Sequence, residues 1–420
     1  MCATNRSSAI SIYLIMSGVM AFVSTLVLIT LAVYFVSAVG MNPFQLVLAG
    51  TVFECAILLC EIPTGVIADT WSRRLSIVIG VSIMGAALLL EGAAPLLAAV
   101  LLAEVLGGVG ETFLSGAIDA WLAGEIGEAA VGPVYLRSAQ LKRVVGLAGI
   151  AASAGLASIA LNLPLLLAGG LYLALAVFLA LRMPERGFQP APRAERESWR
   201  ALFGTFRDGL RAVRASRLLL ALLVVGVVAG AAGEGYDKLW EAHLLLDLGL
   251  PGLGQIDPVI WFGIINAATA LASLLVAALL QPRMEALSRD SAAVARALLA
   301  ISALLAASVV VFGLAGSFTL AFAALLAKAV LGSLADPLYR TWLIQQTSPR
   351  TRATVLSIGS QAGALGETAG GPLVGAVGAL VSLRAALVLA GLLLAPVVAL
   401  YARTLRHASL EESEAPAPQA

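Results

Sequence analysis

Glu61-Ile-Pro-Thr-Gly-Val-Ile-Ala-Asp69-Thr-Trp-Ser-Arg73-Arg74-Leu75 decides the fold. An apolar run stops here at an acid, a short turn and two arginines, and a second apolar run begins at Leu75. A membrane-spanning helix takes about 20 apolar residues. Arginine and lysine gather in the short loops on the cytoplasmic side. The stretch therefore reads as a charged hairpin between two spanning helices.

The rest of the chain agrees. Of its 420 residues, 60% are hydrophobic and 12% are charged, and the mean hydropathy is +0.96. A soluble domain carries about 25% charged residues. In lipid the backbone must satisfy its own hydrogen bonds, so a polytopic helical protein is expected. A net charge of +1 gives no footprint for nucleic acid. Cys2, Cys55 and Cys60 have neither disulfide nor metal spacing, and the only histidines are His243 and His407. No nucleophile constellation, nucleotide loop or metal cluster points to an enzyme, and no cofactor is implied. The first apolar run, residues 10–39, exceeds the 7–15 residues of a cleaved signal core and reads as a retained first span.

Twelve spans are expected, near 10–39, 44–66, 75–93, 95–123, 137–161, 163–183, 217–246, 257–280, 294–314, 317–345, 352–379 and 382–404. Arginine and lysine follow the even-numbered spans, whereas Gly40–Pro43, Leu161–Pro164 and Gly313–Ser317 carry none, Arg384 being the exception on that side. The positive-inside rule then places both termini in the cytoplasm of a cell (inner) membrane protein. The longest polar connection divides the spans six and six. The expected units are an N-terminal bundle 1–183, a cytoplasmic linker 184–216, a C-terminal bundle 217–406 and a disordered tail 407–420. Within the linker, Trp199, Leu202, Phe203, Phe206, Leu210 and Val213 recur at helical spacing among arginines, as in an amphipathic helix lying on an anionic leaflet. The halves echo each other: Asp119-Ala-Trp-Leu122 matches Arg340-Thr-Trp-Leu343. The fold class is an all-α membrane protein with twelve transmembrane helices in two six-helix pseudo-symmetric bundles.

A charge at the bilayer centre costs at least ~2.5–3.5 kcal/mol, so each one needs a reason. Glu104 and Glu111 in span four share a face, about 10 Å apart along the axis. Glu111, near mid-membrane, is read as a protonatable cavity residue, or else as a carboxyl kept neutral or paired by burial. Glu54 in span two is a second candidate for proton binding, and Glu234 in span seven belongs to a cluster that reads as an outer gate. Glu234 also stands i,i+4 to Lys238, and Asp336 to Arg340, the order that pairs on one helix face. Lys328 has no carboxylate on its own face, so Glu104 or Glu234 is expected to meet it. Lys328, Glu367, Tyr34 and Tyr236 are the candidate substrate-cavity residues. Asp119 is expected to join Asp69, Arg73 and Arg74 in an ion-pair relay. The glycines from Gly363 to Gly375 read as a close helix contact.

Gly65, Asp69, Arg73 and Arg74 occupy the places of the pattern G-x-x-x-D-x-x-x-R-R, and the hairpin resembles the signature loop of major facilitator superfamily transporters. Glu61–Asp69 and Ser115–Leu122 resemble bacterial members grouped with tetracycline and macrolide efflux proteins. The resemblance implies proton-coupled export of a drug-like amphipathic molecule. Alternating access of two halves would proceed around a central site lined by spans one, four, seven and ten. Small-molecule substrate, protons and lipid are the implied partners, with the chain acting as a monomer. Span four carries Glu104 ahead of Gly107, Gly108 and Gly110, where such antiporters often carry arginine. Proton-coupled uptake or exchange of a metabolite or anion, and a non-transporting membrane sensor, are the alternatives.

Overall fold

The computed structural model describes residues 2–188, 217–252, 257–287, 290–345 and 352–414. Among them every regular element is a helix. In chain order these are α1 (Cys2–Tyr34), α2 (Pro43–Thr70), α3 (Arg73–Ala93), α4 (Leu97–Leu114), α5 (Ala117–Ile126), α6 (Glu128–Ala157) and α7 (Leu163–Arg182). They continue as α8 (Arg217–His243), α9 (Pro258–Leu287), α10 (Ser291–Leu314), α11 (Phe318–Gln345), α12 (Arg352–Leu380), α13 (Leu383–Leu393) and α14 (Ala395–Glu414). Short π-type turns, Phe35–Val39 and Leu244–Leu248, extend α1 and α8.

These helices fill the twelve expected positions. Nine spans among the described residues are long and apolar enough to cross a membrane. The remaining positions, the fifth, seventh and eleventh, are taken by α6, α8 and α12, which have 30, 27 and 29 residues. At 1.5 Å per residue each exceeds a hydrocarbon core of about 30 Å. Span four is not one continuous rod, as the apolar pattern suggested. It breaks between α4 and α5 at Gly116, whose φ of +71° only glycine adopts without strain. Span twelve is likewise divided at Leu394 between α13 and α14.

The chain forms two compact units, Met1–Trp199 with Gly252–Gly263, and Arg200–Pro251 with Ile264–Ala420. In the first, α1 packs on α6 and α7, and α3 packs on α4 and α7. In the second, α8 packs on α12 and α13, and α10 packs on α11 and α13. Counted by span position the pairings are the same, which is the pseudo-symmetry in physical form. Small residues bring the axes together, as expected where lipid offers no hydrophobic drive. A Cβ on Gly80 would stand 2.8 Å from the Gly110 carbonyl oxygen. Gly366 and Gly370 of α12 meet the α8 backbone at Val227 and Ala231, so the glycine run after Gly363 is a helix contact.

Polar caps close the turns. Asn42 and Gln45 exchange backbone and side-chain bonds of 2.9 and 3.0 Å at the start of α2. Ser72 caps α3 by accepting from Leu75 N at 2.9 Å. The tail expectation is corrected in part. Helix α14 runs to Glu414, because Ala408-Ser-Leu-Glu-Glu contains strong helix formers. The amphipathic linker helix around Trp199–Val213 and residues 415–420 lie outside the described residues.

Candidate functional site

Helices α4 and α5 place their carboxylates against two cavities of the first unit. Glu111 and Asp119 line one of about 660 Å³, beside Lys142, Tyr172 and the break at Ser115-Gly116. Glu104 lines a second of about 270 Å³. The cavities share Ser24, Met84 and Tyr172, so one wall of α1, α3 and α7 faces both. The seven-residue step from Glu104 to Glu111 thus aims the two at neighbouring cavities that share a wall.

A fourth cavity-lining acid of this unit escaped the sequence reading. Glu91 of α3 is 5% exposed, lines the smaller cavity with Glu104, and has an Oε1 atom with no hydrogen-bond partner. Its place near the end of an apolar run made it resemble a helix terminus. Packing of α3 against α4 and α7 sinks it instead.

Two candidates move. Tyr34 is 1% exposed and donates its hydroxyl to the Glu91 carbonyl at 2.6 Å, so it pins α1 to α3 and lines neither cavity. Glu54 is half-buried on α2, and it is its neighbour Phe53 that reaches the smaller cavity. One residue along a helix turns a side chain about 100°.

In the second unit Glu234, Asp237, Asp336, Arg340 and Glu367 line a cavity of about 550 Å³. Tyr236 and Lys328 line an adjoining one of about 350 Å³, which shares Asp336 and Tyr339 with the first. Lys328 finds a partner on another helix, but the partner is Asp237 rather than Glu104 or Glu234. Nζ stands 2.8 Å from Oδ1 and 4.4 Å from the centroid of the Tyr236 ring. Asp237 and Tyr236 are adjacent on α8, so one side chain of α11 engages both. Asp336 and Arg340 do not form the expected ion pair among the described residues. Both turn toward the cavity, where the carboxylate and guanidinium are separately accessible.

The charged hairpin is tied differently from the expected relay. Asp69 and Arg73 are 3.9 Å apart. Arg73 Nη1 donates to the Ala120 carbonyl at 2.9 Å, and an Arg74 guanidinium nitrogen donates to the Ala180 carbonyl. The acid that closes the hairpin is Glu185. Its two oxygens accept from Ser72 Oγ at 2.6 Å and from Arg74 N at 2.9 Å. Asp119 instead accepts from the Tyr135 hydroxyl at 2.7 Å and takes no part in an ion pair among the described residues. Glu125 of α5 receives the Arg186 and Gly187 amides at 2.6 and 2.7 Å, and Trp121 donates to the Pro184 carbonyl at 2.7 Å. Residues 184–187 were read as linker because Pro, Glu and Arg dominate them. In the fold they strap the start of α3 to α5. Gly65 stands with open space at its Cβ position. No cluster of His, Cys, Asp and Glu able to hold a metal occurs among the described residues.

The backbone matches known folds over nearly its whole length. A point variant of the nucleoside transporter NupG superposes with a TM-score of 0.76 at 15% identity, covering 95% of this chain and 99% of that one. The chain has a major facilitator-type transporter fold. A bacterial homolog of the human lysosomal transporter Spinster, inward-facing and unoccupied, shares this fold at a TM-score of 0.72 and 16% identity, covering 96% of this chain and 97% of that one. The human organic anion transporter MFSD10 (TETRAN) does so at 0.57 and 18%, over 94% of this chain and 99% of that one. No family model matches the sequence. The uncharacterized MFS-type transporter YxaM of Bacillus subtilis (strain 168) is 24% identical over 208 residues, 49% of this chain. That match spans about half of the relative, 51%. All four of these proteins are described as transporters.

Proposed function

We propose that this protein is a secondary active transporter that exports a small amphipathic molecule by alternating access, driven by proton uptake. It acts as a monomer in the inner membrane with both termini cytoplasmic. The observation that carries the reading is the placement of Glu111 and Glu104 in the first unit, and of Glu234 and Glu367 in the second, on cavity walls within a membrane fold. An intramembrane carboxylate that meets a hollow can gain and lose a proton as the hollow opens and closes, which couples proton movement to conformation. The efflux direction is supported by the resemblance of Glu61–Asp69 and Ser115–Leu122 to efflux proteins. Uptake of an anion is less favoured, because Asp237 already engages Lys328. The N-terminal bundle 1–183 and the C-terminal bundle 217–406 supply the two halves of the cycle, and the Glu185-tied hairpin holds one end of the first.

Reconstituted protein under an imposed pH gradient tests this. Lipophilic cations, tetracyclines and macrolides are screened for movement, and wild type is compared with Glu111→Gln and Glu234→Gln. Gradient-driven efflux of at least one compound, lost in Glu111→Gln, is expected. Transport that is equal in both variants and indifferent to the gradient refutes proton coupling through these residues. Accumulation in the direction of uptake refutes export.

A further inference from the structure

Helix α11 presents two opposite charges, Asp336 and Arg340, to the cavity of about 550 Å³ in the second unit. Both are exposed and stand four residues apart, yet they do not pair with each other among the described residues. A guanidinium keeps its proton in proteins, so at membrane depth only an anion balances it. Arg340 is the one base on the described wall of that cavity, and Lys328 in the adjoining one is already held by Asp237 at 2.8 Å. Glu234 and Glu367 add carboxylates beside Asp336. The wall therefore offers one anchor for an anion within a surplus of acids, and a guest that is only negative is repelled. The adjoining cavity of about 350 Å³ has another character, with Tyr236, Tyr401, Leu298, Val309 and Leu394 on its walls. Asp336, Tyr339 and Gly233 line both cavities, and nothing stands within 4 Å of the Gly233 Cβ position. A charged chamber thus adjoins an apolar one across a glycine.

We propose that Asp336 and Arg340 bind the head of a zwitterionic α-amino acid with a large aromatic side chain, and that this is the substrate class of the second-unit cavity. That such a molecule binds follows from the second unit alone; that it is cargo rests on the transport reading above. An α-amino acid carries its ammonium and its carboxylate on one carbon. Residues four apart on a helix are separated by about 6 Å along the axis, close enough for one such head to meet both side chains. The carboxylate takes the Arg340 guanidinium, whose parallel N–H groups match it as a fork. The ammonium takes Asp336. The side chain then lies past Gly233, among Tyr236, Tyr401 and the aliphatic residues of the adjoining cavity. Every charge in the filled site has an opposite, and the zwitterion brings no net charge into the membrane interior. Both chambers fall within the size range of small-molecule pockets, about 300–1,000 Å³.

Isothermal titration of the purified full-length protein in nanodiscs at neutral pH, with empty nanodiscs subtracted, tests the site without requiring transport. The probes are L-tryptophan, tryptamine, which lacks the carboxylate, and indolepropionate, which lacks the ammonium. Tryptophan is expected to bind about tenfold or more tighter than either, since each loses a hydrogen bond between charged groups. Arg340→Gln is expected to weaken tryptophan by about tenfold and to leave tryptamine no weaker, a difference that a merely structural arginine would not produce. Asp336→Asn is expected to weaken tryptophan and to leave indolepropionate no weaker. Absence of tryptophan binding, or equal affinity for the three probes, overturns the proposal. So does a folded Arg340→Gln protein that loses tryptophan and tryptamine alike. If Arg340→Gln fails to fold, Gly233→Leu, which fills the junction of the two chambers, serves: undiminished tryptophan binding there overturns the proposal. Tryptophan binding with no movement of any compound under a pH gradient refutes the transport reading and leaves this site standing. Gradient-driven efflux of a lipophilic cation by a protein that does not bind tryptophan refutes the site alone.

Discussion

Glu185 holds the start of α3 by accepting from both the Ser72 hydroxyl and the Arg74 amide, at 2.6 and 2.9 Å. The two residues that define the hairpin turn are thus anchored by an acid more than a hundred positions away. A carboxylate at a helix N-terminus also meets the positive end of the helix dipole. Glu185→Ala is expected to lower stability by about 1 kcal/mol, as loss of a capping group does. The thermal unfolding midpoint in detergent reads this, and Glu185→Gln should recover part of the loss. Asp119→Asn, in contrast, should leave the hairpin intact.

The Lys328–Asp237 pair predicts a non-additive result. Its side chains are 27% and 57% exposed, so the ion pair is solvent-screened and worth ~1 kcal/mol or less. Stacking over Tyr236 adds a contribution of about 0.5–1 kcal/mol. Lys328→Met and Asp237→Asn should each lower the unfolding midpoint, and the double variant should lose less than the sum. Additive losses would show that the two side chains do not interact.

Two glycines should respond to the same substitution with opposite signs. A Cβ at Gly110 would stand 2.7 Å from Met84 Cγ and 3.0 Å from the Gly80 carbonyl oxygen. Gly110→Ala is therefore expected to destabilise by about 1–3 kcal/mol through overpacking. Gly155, in α6, has nothing within 4 Å of its Cβ position. Gly155→Ala should stabilise by about 0.4–1 kcal/mol by removing freedom from the unfolded chain. Unfolding midpoints of the two variants moving in the same direction would contradict the α3–α4 approach.

Tyr135 gives a pH prediction near the start of α6, ahead of the span expected over 137–161. Burial, then the hydrogen bond to Asp119 and the Asp119 charge, push its hydroxyl from 10.0 up to about 12. A group whose folded value is raised contributes stability that is complete below its unfolded value and is lost as pH rises through the folded one. The contribution is therefore present below pH 10 and disappears toward pH 12. Difference absorbance of wild type against Tyr135→Phe should reveal a tyrosinate forming near the upper value. A component that titrates at the ordinary tyrosine value would remove the Asp119 contact.

The hairpin between α2 and α3 was legible because a turn at a membrane face has local requirements for charge, whereas Gly65, with open space at its Cβ position, meets no steric need. Glu104 and Glu111 were legible because the period of a helix places them on one face. Glu91 and Glu185 were not. One stood at the edge of an apolar run and the other opened a polar linker, and in each case a neighbouring helix decides the role. Likewise the partner of Lys328 depended on which turn of α8 faces α11, a fraction of a helical turn that spacing alone does not fix.

The sequence by itself determined that this chain is a bundle of membrane helices in two repeated halves. Apolar length and the placement of arginine act through the solvent, residue by residue, and need no knowledge of neighbours. Only the tertiary structure decided that span four breaks at Gly116, that Glu185 replaces Asp119 at the hairpin, and that Glu91 faces a cavity. Those outcomes are set by side chains that are distant in sequence and meet at distances of a few ångströms, where a shift of one residue changes the partner.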